Sequence, residues 1–310
     1  MVKQRFARRL ANGRPIVIDG GLATQCEAMG CDISGELWSA KLLQSDPQAI
    51  VAVTRAFLDA GAEIIATASY QASRGGFMAL GLSEEEADEL IVTSVDLAAQ
   101  ARDEFLADNP QPQETILIAA SIGPYGAAQS DGSEYTGNYG VTALELEAFH
   151  ADRLRLLDNT AADLLACETV PSYTEAEVLA ELLRDARSPA WVSFSCRDDK
   201  CISDGTPIEA AVALLQDHPR VLALGVNCTP PQFMVPLIGR IRNAVPGKAI
   251  VVYPNSGETW QPFPMRKWTG TSTPTEWAVA ARAWAEAGAT LIGGCCRTGP
   301  EHIRAIANSL

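Results

Sequence analysis

Three thiols close two apolar runs: Cys228 ends "VLALGVNC", and Cys295 and Cys296 end "TLIGGCC". Thiolates are soft ligands that suit Zn²⁺, and three of them leave one tetrahedral position free for a substrate, the feature that separates catalytic from structural zinc. Vicinal cysteines do not pair with each other without strain. Neighbours on a regular strand face opposite ways, so both can reach one ion only where the strand has ended or bulged, which Gly293 and Gly294 permit. Spacing alone leaves a second possibility open, that these are small buried hydrophobes, since free cysteine is among the most buried residue types and no C-x-x-C pattern is present. Of the other cysteines, Cys26 and Cys31 fall in a predicted loop, Cys167 and Cys196 in or beside strands, and all of these with Cys201 read as structural thiols.

The elements that must position the three thiols follow from the spacing of apolar residues. Eight short apolar runs alternate with stretches of helical periodicity: "PIVIDGG", "EIIATASY", "TILIAASIGP", "DLLACETV", "AWVSFSC", "VLALGVNC", "AIVVYPNS" and "TLIGGCC". They are rich in Val, Ile, Leu and Ala with little polar alternation, as expected of parallel strands covered on both faces. Helix starts are marked by Asp46 before Pro47, Thr206 before Pro207 and Thr273 before Pro274. Glu209, Glu276 and Glu86, three residues after Thr206, Thr273 and Ser83, complete predicted capping boxes, and Gly61 and Gly288 mark helix ends.

Eight β-then-α units in 310 residues predict an α/β fold, a (β/α)₈ TIM-type barrel spanning residues 1–310 as one domain. A doubly wound sheet would carry a Gly-rich phosphate loop after its first strand, and the sequence has none. Long insertions follow the first, third and seventh strands (22–45, 124–142 and 256–272), all on the face where barrel enzymes place their chemistry. The thiols of the sixth and eighth strands therefore converge on one rim.

A net charge of −14 and a pI near 4.7 argue against nucleic acid or an anionic membrane surface as a partner. No apolar run approaches a membrane span, and the first residues lack the apolar core of a secretory signal, so a cytoplasmic protein with reduced thiols is expected. No lysine stands at a strand's C-terminal end, which disfavours a Schiff-base enzyme. His150, His218 and His302 lie in helical contexts and read as surface or capping residues, not as metal ligands.

"DGGLAT", "ASYQAS", "SIGPYG", "ACETVPS", "SDGTP", "GVNC", "VVYPNSGE" and "GGCCRTGPEHI" together resemble the zinc-dependent homocysteine S-methyltransferases over nearly the whole chain. The combination is most similar to the branch that takes methyl groups from S-methylmethionine or S-adenosylmethionine. The resemblance implies a barrel in which Cys228, Cys295 and Cys296 bind Zn²⁺ and homocysteine is activated as a thiolate to give methionine. It implies that Glu168 binds the homocysteine ammonium and that Asp19, Gly20 and Gly21 line the same pocket, although Asp19 also suits a cap.

Thr298, opening "TGPE", is placed to offer helix N–H groups to a substrate carboxylate, and capping explains the same residues. Asn227 is expected to orient the backbone beside the metal; Asn255, Ser256 and Glu258 to shape the donor side; Trp38 and Tyr70 to offer ring faces to a sulfonium. A betaine- or thetin-type enzyme, a selenohomocysteine methyltransferase and a non-catalytic zinc-thiolate barrel are the alternatives. No dimerisation arm is evident, which leans toward a monomer binding small-molecule substrates.

Overall fold

The computed structural model describes residues 4–33, 37–110, 115–129, 131–257, 259–261, 267–269 and 273–310. All eight predicted runs contain a strand: β1 (Ile16–Val17), β2 (Ile64–Ala66), β3 (Leu117–Ile122), β4 (Leu164–Val170), β5 (Ala190–Phe194), β6 (Val221–Asn227), β7 (Ala249–Tyr253) and β10 (Leu291–Ile292). Two further strands, β8 (Thr259–Gln261) and β9 (Lys267–Thr269), form a separate antiparallel pair in the insertion after β7. The eight pair in parallel in the order β1-β10-β7-β6-β5-β4-β3-β2. An isolated bridge from Ile18 to Ile64 joins the two ends of the sheet, with Asp19 N–H donating to Ile64 O at 3.0 Å and Glu63 N–H to Val17 O at 2.8 Å. The sheet is thereby a barrel.

Side-chain alternation divides the core in two. Leu117 and Ala119 on β3, with Leu164 and Ala166 on β4, point into the barrel; Ile118, Ala120, Leu165 and Cys167 point out against the helices. Both faces are buried, which is why the strands read as continuous apolar runs. Trp191 fills the interior from β5, and Phe6, on the helix Arg5–Ala11, packs against it edge-to-face from the N-terminal end.

Most of the helix punctuation is as predicted. Asp46 caps Pro47–Asp59, Ser83 and Glu86 form a capping box on Glu84–Asp108, and Thr273 with Glu276 does so on Pro274–Ala287. Gly61 and Gly288 take φ of 102° and 122°, the left-handed region where a Cβ is disfavoured. Thr206 is the exception. The helix there is Ile208–Ala213, and no side chain caps it. Bridges of Cys196 with Ile202 and of Cys201 with Pro207 fold residues 196–207 back as an antiparallel loop, which occupies the Thr206 carbonyl with Ile202 N–H. Glu209 pairs instead with Arg240 at 2.6 Å.

Two smaller corrections concern expected loop and surface residues. Cys26 lies on the helix Leu22–Ala28 and is fully buried. His150 is also fully buried, its Nε2 2.8 Å from Glu175, and His218 is buried against Ala180 O. Only His302 caps as expected, Gly299 N–H donating to its Nδ1 at 3.1 Å.

Candidate active site

Cys228 follows β6 at φ +46°, a conformation costing about 1–3 kcal/mol for a residue with a Cβ. That left-handed residue lets Asn227 and Cys228, neighbours in sequence, both turn toward the centre. Cys295 and Cys296 follow β10 after Gly293 and Gly294, where the strand has ended. Cys295 N–H donates to Pro254 O at 2.8 Å, and Cys296 O accepts from Ser256 N–H at 2.9 Å. The three Sγ atoms lie within 4.8 Å of one another, and Cys228 Sγ is 3.5 Å from Cys296 Sγ.

Sulfurs about 2.3 Å from a tetrahedral ion stand about 3.8 Å apart, so this cluster fits a metal with little adjustment. Its protons are unequally held: Cys296 falls well below the ordinary thiol value because the Cys228 and then the Cys295 thiols hydrogen-bond to its sulfur. Cys295 is driven up, first by its hydrogen bonds to Cys228 and Cys296 and then by burial. One thiolate forms readily and further ones need a cation.

Glycines bring the first strand's loop against this cluster. A Cβ on Gly21 would lie 2.5 Å from Cys295 O, and one on Gly20 would lie 2.8 Å from Thr298 O. Thr298, fully buried, sits behind the thiols: its hydroxyl donates to Cys295 O at 2.6 Å and accepts from Gly21 N–H at 3.2 Å. It is not among the residues lining the pocket, so it braces the turn that carries two thiols where a carboxylate-binding role was expected.

Glu168 and Asp19 line the pocket beside the cysteines. The β4–β5 register shifts between Cys167 and Val170, and Thr169 takes φ +60°, so a bulge re-aims the end of β4. Asn227 pins that bulge: its Oδ1 accepts from Thr169 N–H at 2.7 Å and Ser193 Oγ at 2.8 Å, while its Nδ2 donates to Thr169 Oγ1 at 2.7 Å. Glu168 is hydrogen-bonded to Ser121 and to Tyr253, yet burial still raises its carboxyl above the ordinary value. Asp19 is raised more strongly, first by burial and further by the charge of Glu168, although Ala66 N–H donates to it at 2.7 Å. Neither has a cationic partner among the described residues.

Trp38 and Tyr70 both line the pocket, Trp38 at its mouth with φ +47° and the ring partly exposed. Asn255 lies outside the pocket lining and accepts from Gly257 N–H at 3.1 Å, shaping the turn after β7. Glu258 lies outside the described residues. The sequence reading missed Glu134 and Tyr135, on a short 3₁₀ turn (Ser133–Tyr135) in the insertion after β3. Tyr135 Oη is 3.7 Å from Cys228 Sγ, and both residues line the pocket. The length of that insertion on the active face was the available signal. Among the described lining residues Arg297 is the one cation, 3.6 Å from Glu27, against the acids Asp19, Glu27, Glu134 and Glu168.

Comparison with known proteins agrees with this geometry. Homocysteine S-methyltransferase YbgG of Bacillus subtilis (strain 168) is 48% identical over 295 residues, covering 94% of this chain and 93% of its own. Homocysteine S-methyltransferase 1 of Zea mays is 44% identical over 304 residues, covering 95% and 94%. The crystal structure of the homocysteine methyltransferase MmuM from Escherichia coli in its metallated form superposes with a TM-score of 0.86 at 43% identity, covering 96% of both chains. The sequence model of the homocysteine S-methyltransferase family matches residues 16–310, and the chain belongs to that family.

Proposed function

We propose that the 310 residues form one catalytic unit that transfers a methyl group from S-methylmethionine, or from S-adenosylmethionine, to homocysteine, giving methionine. The observation that carries this is the convergence of three thiols, within 4.8 Å of one another, with the buried carboxylates of Asp19 and Glu168 in one pocket. Cys228, Cys295 and Cys296 would hold Zn²⁺, which would supply the positive charge that favours the thiolate form of homocysteine, a thiol otherwise mostly protonated at neutral pH.

The remaining work falls to the chain. Asp19 and Glu168 take the homocysteine ammonium, whose charge offsets the burial that raises both carboxyls. Ser121 and Tyr253 fix the Glu168 carboxylate in place, and Asn227 holds the bulge that aims it. Gly20, Gly21 and Thr298 keep the turn of Cys295 and Cys296 against the first strand. Trp38 and Tyr70 offer ring faces to the sulfonium, and Asn255 with Ser256 supports the turn beside Cys296. The donor is already activated, so the protein's contribution to the methyl step is alignment of sulfur, methyl carbon and leaving sulfur, without a general base at carbon.

Purified protein should convert homocysteine to methionine with either sulfonium donor, lose that activity to a chelator and regain it with Zn²⁺. Activity with betaine in place of the sulfonium donors would shift the donor class. A zinc-loaded protein inactive with all three would overturn the catalytic reading in favour of a zinc-thiolate barrel.

A further inference from the structure

The pocket holds its acids in separate places. Asp19 and Glu168 act on one another, each close enough for Glu168 to raise Asp19. Glu134 stands apart from both, on the 3₁₀ turn whose next residue, Tyr135, reaches within 3.7 Å of Cys228 Sγ. Burial raises its carboxyl above the ordinary value, and Asp131 and the Cys296 sulfur push it the same way. Its Oε2 is buried and has no hydrogen-bond partner among the described residues. A buried polar atom left unpaired has lost its water without a replacement, so the position is unfavourable unless something arrives to satisfy it.

The turn is nevertheless firmly built. Gly132 supplies φ +82°, Ser133 N–H donates to Asp131 at 2.9 Å, and Gly137 N–H returns to Ser133 O at 2.9 Å. Ser195 Oγ donates to the Glu134 carbonyl at 3.3 Å, and Gly126 packs so closely on the Glu134 amide that a Cβ there would collide with it. The carboxylate is preorganised and unpaired, at the edge of the thiol cluster.

We infer that Glu134 anchors the ammonium group of the methyl donor, making it a specificity residue for donors that are themselves amino acids. The inference rests on the function proposed above, in which two amino acids meet at the thiols and the Asp19–Glu168 pair is taken by the acceptor. A carboxylate set against the sulfonium itself would favour a charge that disappears as the methyl leaves, and so would oppose the reaction. Set against the ammonium, whose charge is the same before and after transfer, it lowers the donor KM and leaves the chemical step alone.

The test compares wild-type and Glu134→Gln protein, both zinc-loaded, in turnover and in calorimetric binding of S-methylmethionine, with dimethylsulfoniopropionate as a sulfonium donor lacking an ammonium. Loss of a charged hydrogen bond should raise the S-methylmethionine KM and Kd about 10- to 100-fold. The homocysteine KM, the zinc content and the rate with dimethylsulfoniopropionate should stay within about twofold, and Glu134→Asp should fall between the two. Unchanged S-methylmethionine binding, a shift in the homocysteine KM instead, or an equal loss with both donors would each overturn the role of Glu134 while leaving the methyltransferase reading intact. Failure of the wild type to make methionine from any donor would remove that reading itself, and with it the inference.

Discussion

At the N-terminal end of the barrel Glu63 is buried with its countercharge beside it: Arg9, only 4% exposed, donates to Glu63 Oε2 at 3.0 and 2.6 Å, and Arg14 adds a third contact at 3.3 Å. At the C-terminal end Asp19 and Glu168, 5% and 8% exposed, are buried to the same degree with no cation against them among the described residues. Backbone strain is divided the same way. The non-glycine residues with positive φ among those described are Trp38, Thr169, Cys228 and Arg297, and every one lines the pocket. One end sets a countercharge against its buried Glu63 and the other holds Asp19 and Glu168 by hydrogen bonds without one, which is how a scaffold separates stability from chemistry.

The strongest way to break this contrast is to remove a thiol. Cys228→Ala should abolish zinc binding and methionine formation while the barrel stays folded, read by metal content, turnover and circular dichroism. Retention of both zinc and activity would remove Cys228 from the ligand set. At the opposite end, Arg9→Met leaves Glu63 short of its main partner and should cost about 3–5 kcal/mol of stability, seen as a lower melting temperature, with kinetic constants of the folded fraction unchanged. A kinetic effect without a stability loss would contradict the division of labour.

Glu168→Gln sharpens the comparison with a smaller effect of opposite sign. Removing a buried carboxylate that has no countercharge among the described residues should stabilise the metal-free protein by about 0.5–2 kcal/mol while raising the homocysteine KM. The folded Glu168 carboxyl holds its proton to higher pH than the unfolded one, because burial disfavours its charged form. The folded state therefore binds more protons across that window, and the contribution of Glu168 to stability falls as pH rises through it. The melting temperature of the variant should exceed that of the wild type by a margin that widens as pH climbs from about 4, and a constant margin would refute the shift.

The barrel was legible because its strands are buried on both faces, which forces apolar runs that no other element of that length requires. The cysteines were legible because they stand where those runs stop. Thr206 misled because the short loop over residues 196–207 folds back on itself, with Ile202 N–H taking the Thr206 carbonyl, a turn that a capping pattern does not encode. His150 misled for a similar reason: its partner Glu175 lies on the next helix, and the pair is buried only because the two helices pack. Glu134 and Tyr135 carry no local signal at all, since their place over the thiols is set by Gly126, Ser195 and the folding of an irregular insertion.

The last strand of the barrel in chain order is β10, which enters between β1 and β7 and also delivers Cys295 and Cys296. Seven barrel strands, the β8–β9 pair and Cys228 precede it in the chain. A barrel emerging from the ribosome in that order holds a single thiol of the three until its last stave is seated. Metal capture therefore waits on closure, and a half-built chain presents no preformed three-sulfur trap to the wrong ion. The same dependence runs backwards: slipping β10 out of the sheet dismantles the thiol cluster and the barrel in one event, so an ion held by all three thiols would act as a latch on that strand.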